Sequence, residues 1–324
     1  GEVKDFDPTL FIEKKETKRM DRYSQYAVAA ACEAVKMSGI ELDKVNKHRF
    51  GVMVGSGIGG LGTIEEQVIK MHEKGPSKVA PLFIPMAIIN MAAGHIAIKF
   101  GARGTCTSTV TACATSTNCI GEAFRNIKHG YSDIILAGGS EASVTKIGIA
   151  GFTSLKALST SENPKRASIP FDAERHGFVM GEGAGILLLE ELEHALKRDA
   201  VIYGEITGYG STCDANHITA PLSDGEGARL AMQEAMEESG AGKNDITYIN
   251  AHGTSTVAND LSETCAIKDL FGEQAYNIPV SSTKSMTGHL LGATGAIEAI
   301  ASIEALINNF VPPTVGYEVP DEGL

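Results

Sequence analysis

The sequence is short of positive charge. Its 324 residues carry 28 lysines and arginines against 40 aspartates and glutamates, a net charge of −12, which argues against nonspecific nucleic-acid binding. It lacks paired cysteines as well. Cys32, Cys106, Cys113, Cys119, Cys213 and Cys265 show no CxxC and no compact spacing. That pattern excludes a disulfide framework and the common zinc spacings, and it favours a reducing, cytoplasmic setting. No secretory leader is visible at Gly1-Glu2-Val3-Lys4, and no apolar run reads as long enough to span a bilayer. There is no Gly-X-Y repeat, so the 36 glycines read as tight turns and close backbone approaches. What remains is ordinary globular material, 43% hydrophobic and 21% charged. The length is enough for two domains or one large α/β unit.

Strand-like and helix-like segments alternate through the chain. The patterns predict strands over 49–54, 106–111, 133–137, 186–189, 201–208 and 246–251. They predict helices over 63–74, 85–100, 118–129, 226–239, 261–271 and 290–308. Such alternation implies α/β layers with largely parallel, covered sheets. A short uncharged strand leads to a chemically loaded turn twice, at 106–113 and at 246–256. This suggests two similar halves, 1–199 and 200–324. From Leu290 to Ile303 the only charged residue is Glu298, so this helix is expected to be buried between layers. Glu298 would then face a polar pocket or a cation.

Cys113 lies in Thr111-Ala112-Cys113-Ala114-Thr115-Ser116-Thr117-Asn118, where small and hydroxyl neighbours leave its sulfur approachable. Ile120, Ala123, Phe124 and Ile127 recur at helical spacing just after it. A helix N-terminus beside the thiol favours the thiolate, although buried structural cysteines are the commoner case. His252 falls in Ala251-His252-Gly253-Thr254-Ser255-Thr256 at the end of a predicted strand, which aims its ring into the space above a sheet. Lys284 and His289 belong to Ser281–His289 at the start of the 290–308 helix. Each histidine alone is more often a satisfied or surface residue. Gly55-Ser56-Gly57-Ile58-Gly59-Gly60 fits G-x-G-x-x-G between a strand and a helix, but no clear acidic ribose partner follows, so it reads as a structural turn. Basic residues gather at Lys14, Lys15, Lys18 and Arg19, and again at Arg125 and Lys128. Such a cluster is usually a solvated face; here it could also dock an acidic partner.

Thr111–Asn118, Pro170–Gly185, Ala251–Asp260 and Lys284–Gly295, in this order, resemble the β-ketoacyl-acyl-carrier-protein synthases, above all the elongating type II enzymes of bacterial fatty-acid synthesis. The resemblance covers practically the whole chain. It implies a thiolase-like fold, an αβαβα layered sandwich of two similar halves, in a homodimer. It also implies that Cys113 takes an acyl group from acyl carrier protein, that His252 and His289 stabilise the enolate of decarboxylating malonyl carrier protein, and that no cofactor is needed. By the same resemblance Lys284 orients the His289 region with Glu298 as its electrostatic partner. Thr254 and Thr256 contact pantetheine, and Lys15, Lys18 and Arg19 dock the carrier protein. Val257 stands where the family commonly has proline, and His176 where it has Asp or Asn. Family members begin with a core strand ahead of the position of Gly1 and finish with an Asn-Ser-Phe-Gly-Phe-Gly-Gly segment, so the chain is expected to be a fragment of a longer protein. The alternatives are a polyketide ketosynthase domain, a non-catalytic chain-length partner of the same fold, which typically lacks the nucleophilic cysteine, and a nucleotide-binding oxidoreductase built on the 55–60 glycines.

Overall fold

The structure, a computed structural model, describes residues 1–324. The chain divides into two compact units that are discontinuous in sequence. The first comprises 1–150, 181–203 and 290–300; the second comprises 151–180, 204–289 and 301–324.

The first unit is built on a four-stranded sheet of β1 (Phe50–Gly55), β2 (Cys106–Thr107), β3 (Ile134–Glu141) and β4 (Gly183–Glu190), in the order β2-β1-β3-β4. The first three pair in parallel, with Phe50 opposite Ile134 and Val52 opposite Cys106, while β4 runs antiparallel to β3. Every residue of β1 and β3 is buried, the pattern of strands covered on both faces. Helices α1 (Arg22–Ser38), α2 (Leu61–Lys74), α3 (Met91–Phe100) and α4 (Thr115–Lys128) belong to the same unit. Tyr23, Ala27 and Ala31 of α1 and Ile96 of α3 pack with Phe50, Val52, Val54, Ile134 and Leu136 on one sheet face. Side chains alternate along a strand, and α4 takes the other face, where Thr115 and Cys119 press on Gly55. Asp21 caps α1 by accepting the Tyr23 N–H at 3.1 Å. It also accepts the N–H and hydroxyl of Thr63 on α2 at 3.0 and 2.6 Å, so one carboxylate ties two helices.

The second unit contains α5 (Glu226–Ser239), α6 (Val257–Phe271) and a two-stranded parallel sheet of β5 (Ile249–Asn250) and β6 (Val280–Ser281). Ile267, Leu270 and Phe271 of α6 form its core with Ile278, Met232 and Met236. Helix α7 (Thr294–Asn308) crosses the division between the units at residue 300.

Several expectations need correcting. The 85–100 helix is two helices, Phe83–Ala87 and α3, separated by an extended Ile88. The Ile88 carbonyl accepts the buried Tyr23 hydroxyl at 2.5 Å, a bond that a continuous helix would have contested. Strand β3 continues through Gly138 and Gly139 to Glu141, because β4 supplies partners along its whole length. Residues 201–208 form no strand: no neighbour lies beside them in a ladder. Just beyond, the N–H groups of Tyr209 and Ser211 donate to the carboxylates of Glu238 and Glu234 on α5. The 290–308 helix is not buried throughout. Its glycine- and alanine-rich start is buried, whereas Leu306 and Ile307 near its end are exposed. By length and composition alone, 291–308 also passes as long and apolar enough to cross a membrane, contrary to the sequence reading.

Candidate active site

Cys113 sits in the short turn Ala112–Ala114 that opens directly into α4, and it is partly exposed. The turn is strained, since Ala112 has φ +50°, a left-handed conformation unfavourable for a residue with a Cβ. Local bonds hold it. The Thr111 N–H donates to Thr115 Oγ1 at 2.9 Å, the Thr111 hydroxyl donates to Asn118 Oδ1 at 2.6 Å, and the Ala114 N–H donates to the Thr111 carbonyl at 3.0 Å. The sharp turn leaves the sulfur at the positive end of a 14-residue helix.

In the same unit a cavity of about 490 Å³ is lined by Ile58, Ile64, Ala87, Ile88, Ile89, Asn90, Ser108 and Val110. Its walls come from the 55–60 turn, the break between the helices at 88–90 and the segment leading to Cys113. The sequence patterns missed it because these residues lie far apart in the chain. The 55–60 turn is structural: the N–H groups of Gly57 and Ile58 donate to Glu141, that of Gly59 to Ser56 Oγ and that of Gly60 to the Ala87 carbonyl. These are the N–H groups a dinucleotide phosphate would require.

The second unit brings His252, His289 and Lys284 together. His252 follows β5, and its ring meets that of His289 edge-to-face with centroids 5.3 Å apart. The Phe178 ring backs His289 at 5.2 Å, and the His289 N–H donates to the Val179 carbonyl at 2.7 Å. Burial, then the Lys284 ammonium, push His289 down to about 3. The same two causes, with His289 third, hold His252 well below the ordinary histidine range. Both rings are therefore neutral at pH 7, and each can donate one N–H to an oxygen that gains charge. Lys284 is 1% exposed.

Glu263 was not singled out by the sequence. On α6, its carboxylate accepts the N–H of His252 at 2.6 Å and of Gly253 at 2.7 Å, fixing the loop that carries the histidine. Burial raises its pKa; those two N–H bonds and Lys284 oppose the rise. The signal available was Asn259, Asp260 and Glu263 at helical spacing, polar groups on a face that also carries buried residues. The segment 166–180 braces the same loop. Ile169 N–H donates to Ser255 Oγ at 3.0 Å, Phe171 N–H to Asp260 Oδ2 at 2.8 Å and Gly177 N–H to the Ser255 carbonyl at 2.9 Å. Thr254 is buried, Thr256 is partly exposed, and their hydroxyls lie 2.8 Å apart. His176 and Val257, the two departures from the family pattern, are exposed and leave these contacts intact.

Glu298 lies on α7 in the first unit. Lys15, Lys18 and Arg19 are in or beside the short helix Lys14–Thr17. Lys15 pairs with Glu13 at 3.1 Å and Arg19 with Glu16 at 3.3 Å, both solvated pairs.

Residues 1–195 match the family described as beta-ketoacyl synthase, N-terminal domain, and residues 203–318 match its C-terminal domain. The chain is 53% identical to 3-oxoacyl-[acyl-carrier-protein] synthase 2 of Synechocystis sp. over 99% of its own length and 77% of the relative's. It is 52% identical to the protein of the same name from Staphylococcus aureus, covering 99% and 78%. A beta-ketoacyl synthase from Burkholderia phymatum superposes with a TM-score of 0.91 at 36% identity, covering 99% of this chain and 78% of that one. A type II PKS ketosynthase solved with its acyl-carrier protein and a bound hexaketide gives 0.91 at 34%, with the same coverage.

Proposed function

The chain belongs to the β-ketoacyl synthase family, with that family's thiolase-like α/β fold, and on that premise we propose that it elongates fatty acyl chains as a 3-oxoacyl-[acyl-carrier-protein] synthase. Acylation begins when the Cys113 thiolate attacks the thioester carbonyl of acyl carrier protein. The carrier's sulfur leaves as a thiolate and takes up the proton that Cys113 lost on ionising, and the acyl group stays on Cys113 Sγ. Malonyl carrier protein then loses CO₂, and the electron pair of the broken C–C bond becomes an enolate. The neutral N–H groups of His252 and His289 hold its oxygen. The enolate carbon attacks the acyl-Cys113 carbonyl, a carbon–carbon bond forms, and the cysteine leaves as thiolate. Burial of the rings and the Lys284 ammonium keep both histidines neutral, so they act as hydrogen-bond donors and not as acids. Glu298 contributes a supporting carboxylate, and Thr254 and Thr256 hold the pantetheine arm.

The observation that carries this reading is the pair of neutral histidines, His289 buried and His252 half-buried, beside a buried lysine, in a chain that also presents a cysteine at a helix start. The cavity beside Ile58 and Ile88 has a size and apolar lining suited to an acyl chain. Lys15, Lys18 and Arg19 receive the acidic carrier protein. The halves 1–199 and 200–324 are the two thiolase-like repeats, and the working species is a cytoplasmic homodimer. A second reading, ketosynthase of a polyketide pathway, draws on the similarity to the hexaketide-bound enzyme; the incoming acyl group distinguishes it. Incubation with acyl carrier protein should add one acyl mass, mapping to Cys113 and absent in Cys113→Ala. An adduct on Cys106 or Cys119 would refute the assignment. Preference for polyketide intermediates over saturated acyl groups would favour the second reading.

A further inference from the structure

Glu141 is wholly buried at the end of β3, in the first unit. No cation is among its hydrogen-bond partners. Oε2 accepts the N–H of Gly57 at 2.8 Å and of Gly292 at 3.1 Å. Oε1 accepts the hydroxyls of Ser143 at 2.8 Å and Ser56 at 3.0 Å, with the Ile58 N–H at 3.4 Å. A buried carboxylate of this kind is costly unless its lone pairs are filled, and here three N–H groups and two hydroxyls fill them.

Two of the groups Glu141 binds, the N–H of Gly57 and of Gly292, lie beside the Cys113 turn. A Cβ added to Gly57 would lie 3.3 Å from the Gly292 nitrogen and 3.6 Å from the Ala112 carbonyl oxygen, so the backbones at 57, 112 and 292 converge on one point. The 291–293 turn packs on the 112–114 turn. Past it, the Ala296 N–H donates to Ser116 Oγ at 2.9 Å, on the first turn of α4. The two turns share an unusual feature: Ala112 has φ +50° and Leu291 has φ +49°. Left-handed, non-glycine backbone persists only where its surroundings over-determine it. The bonds within 111–118 are one source of that constraint, and the 291–293 turn packed on 112–114 is a second.

We propose that Glu141 is a positioning residue for Cys113, acting through the N–H groups of Gly57 and Gly292 to hold the 291–293 turn against the strained turn at Ala112. The reach of the carboxylate matters here, and its charge does not. This rests on the reading of Cys113 as nucleophile, and the test keeps the two separable. Glu141→Gln retains the reach: its amide oxygen can serve Gly57 and Gly292, the hydroxyls of Ser56 and Ser143 rotate to accept from its NH₂, and only the Ile58 N–H, the longest of the five contacts at 3.4 Å, loses its acceptor. Glu141→Asp retains charge but falls one methylene short of serving both sets of donors. Gly292→Ala breaks the same tie from the other side, since its Cβ would lie 2.2 Å from the Gly57 nitrogen and 2.9 Å from Glu141 Oε2.

The rate of iodoacetamide alkylation mapped to Cys113 and the rate of malonyl-carrier decarboxylation are measured on each folded variant. Alkylation slower by tenfold or more in Glu141→Asp and Gly292→Ala, with decarboxylation and Glu141→Gln within twofold of wild type, supports the proposal. Unchanged alkylation in either slowed candidate overturns it. So does a common fall in both reactions, or a tenfold slowing in Glu141→Gln, which would make charge the operative property. If Glu141→Asp does not fold, Gly292→Ala and Glu141→Gln decide by the same criteria. Alkylation reports the turn whether or not the chain condenses acyl groups, so an acyl adduct away from Cys113 would refute the nucleophile and leave this measurement standing.

Discussion

At the scale of single residues, the two histidines carry the sharpest consequences. Alanine at His252 or His289 should abolish malonyl decarboxylation and leave transfer of an acyl group to Cys113, measured as CO₂ release against the mass adduct. Full decarboxylation in both variants would contradict the enolate role. Their depressed pKa values also bear on stability. In the unfolded chain a histidine takes a proton near pH 6.5, whereas folded His289 resists until about 3. Between those values the unfolded state binds more protons, so stability falls as pH falls, by about 1.4 kcal/mol per pH unit per histidine. Urea unfolding between pH 6.5 and 4.5 should show this decline, and His289→Asn should flatten it by about one proton. An equally steep decline in that variant would count against the buried neutral ring. Cys113, His252, Lys284 and His289 were legible because each stands in a small-residue setting at the edge of an element. Glu141 and Glu263 were not. In sequence a carboxylate at a strand end or on a helix face looks solvated, and only the fold supplies the N–H groups that make it internal.

At the scale of elements, the start of α7 shows what thin residues are for. Gly295 lies against α4 so closely that a Cβ there would meet Thr117 Oγ1 at 2.0 Å and the Thr117 nitrogen at 2.9 Å. Gly295→Ala should therefore destabilise the protein by about 1–3 kcal/mol, the usual cost of overpacking. It should also slow Cys113 acylation, because Thr117 belongs to the helix that opens at the Cys113 turn. A melting temperature equal to wild type would refute the close approach. The helices at 63–74, 226–239 and 261–271 followed from periodicity to within a few residues. The 85–100 helix and the 201–208 strand did not. At the break in the first, the Ile88 carbonyl accepts a tertiary hydrogen bond from Tyr23, and the second lacks a neighbouring strand for its backbone groups; neither fact is local.

At the scale of the whole molecule, the net charge of −12 makes a basic cluster conspicuous. Lys15 and Arg19 are engaged only in solvated pairs with Glu13 and Glu16, contacts worth well under about 1 kcal/mol, so an acidic partner can displace them. Charge reversal at Lys15, Lys18 and Arg19 should raise KM for the carrier protein and weaken its dependence on salt, with kcat little changed. An unchanged KM would remove these residues from the docking surface.

The sequence by itself determined the α/β class and the family, and it marked the candidate reacting side chains, because periodicity, turn chemistry and motif order are properties of residue type and spacing. The tertiary structure alone decided that both histidines are neutral, that a cavity opens beside Ile58 and Ile88, and that buried carboxylates hold the turns in place. These depend on desolvation and on donors brought from distant parts of the chain. Cys113 shows the division: its chemistry is local, but the strained turn that presents it is packed against a segment nearly 180 residues away, held by Ala296 N–H on Ser116 Oγ.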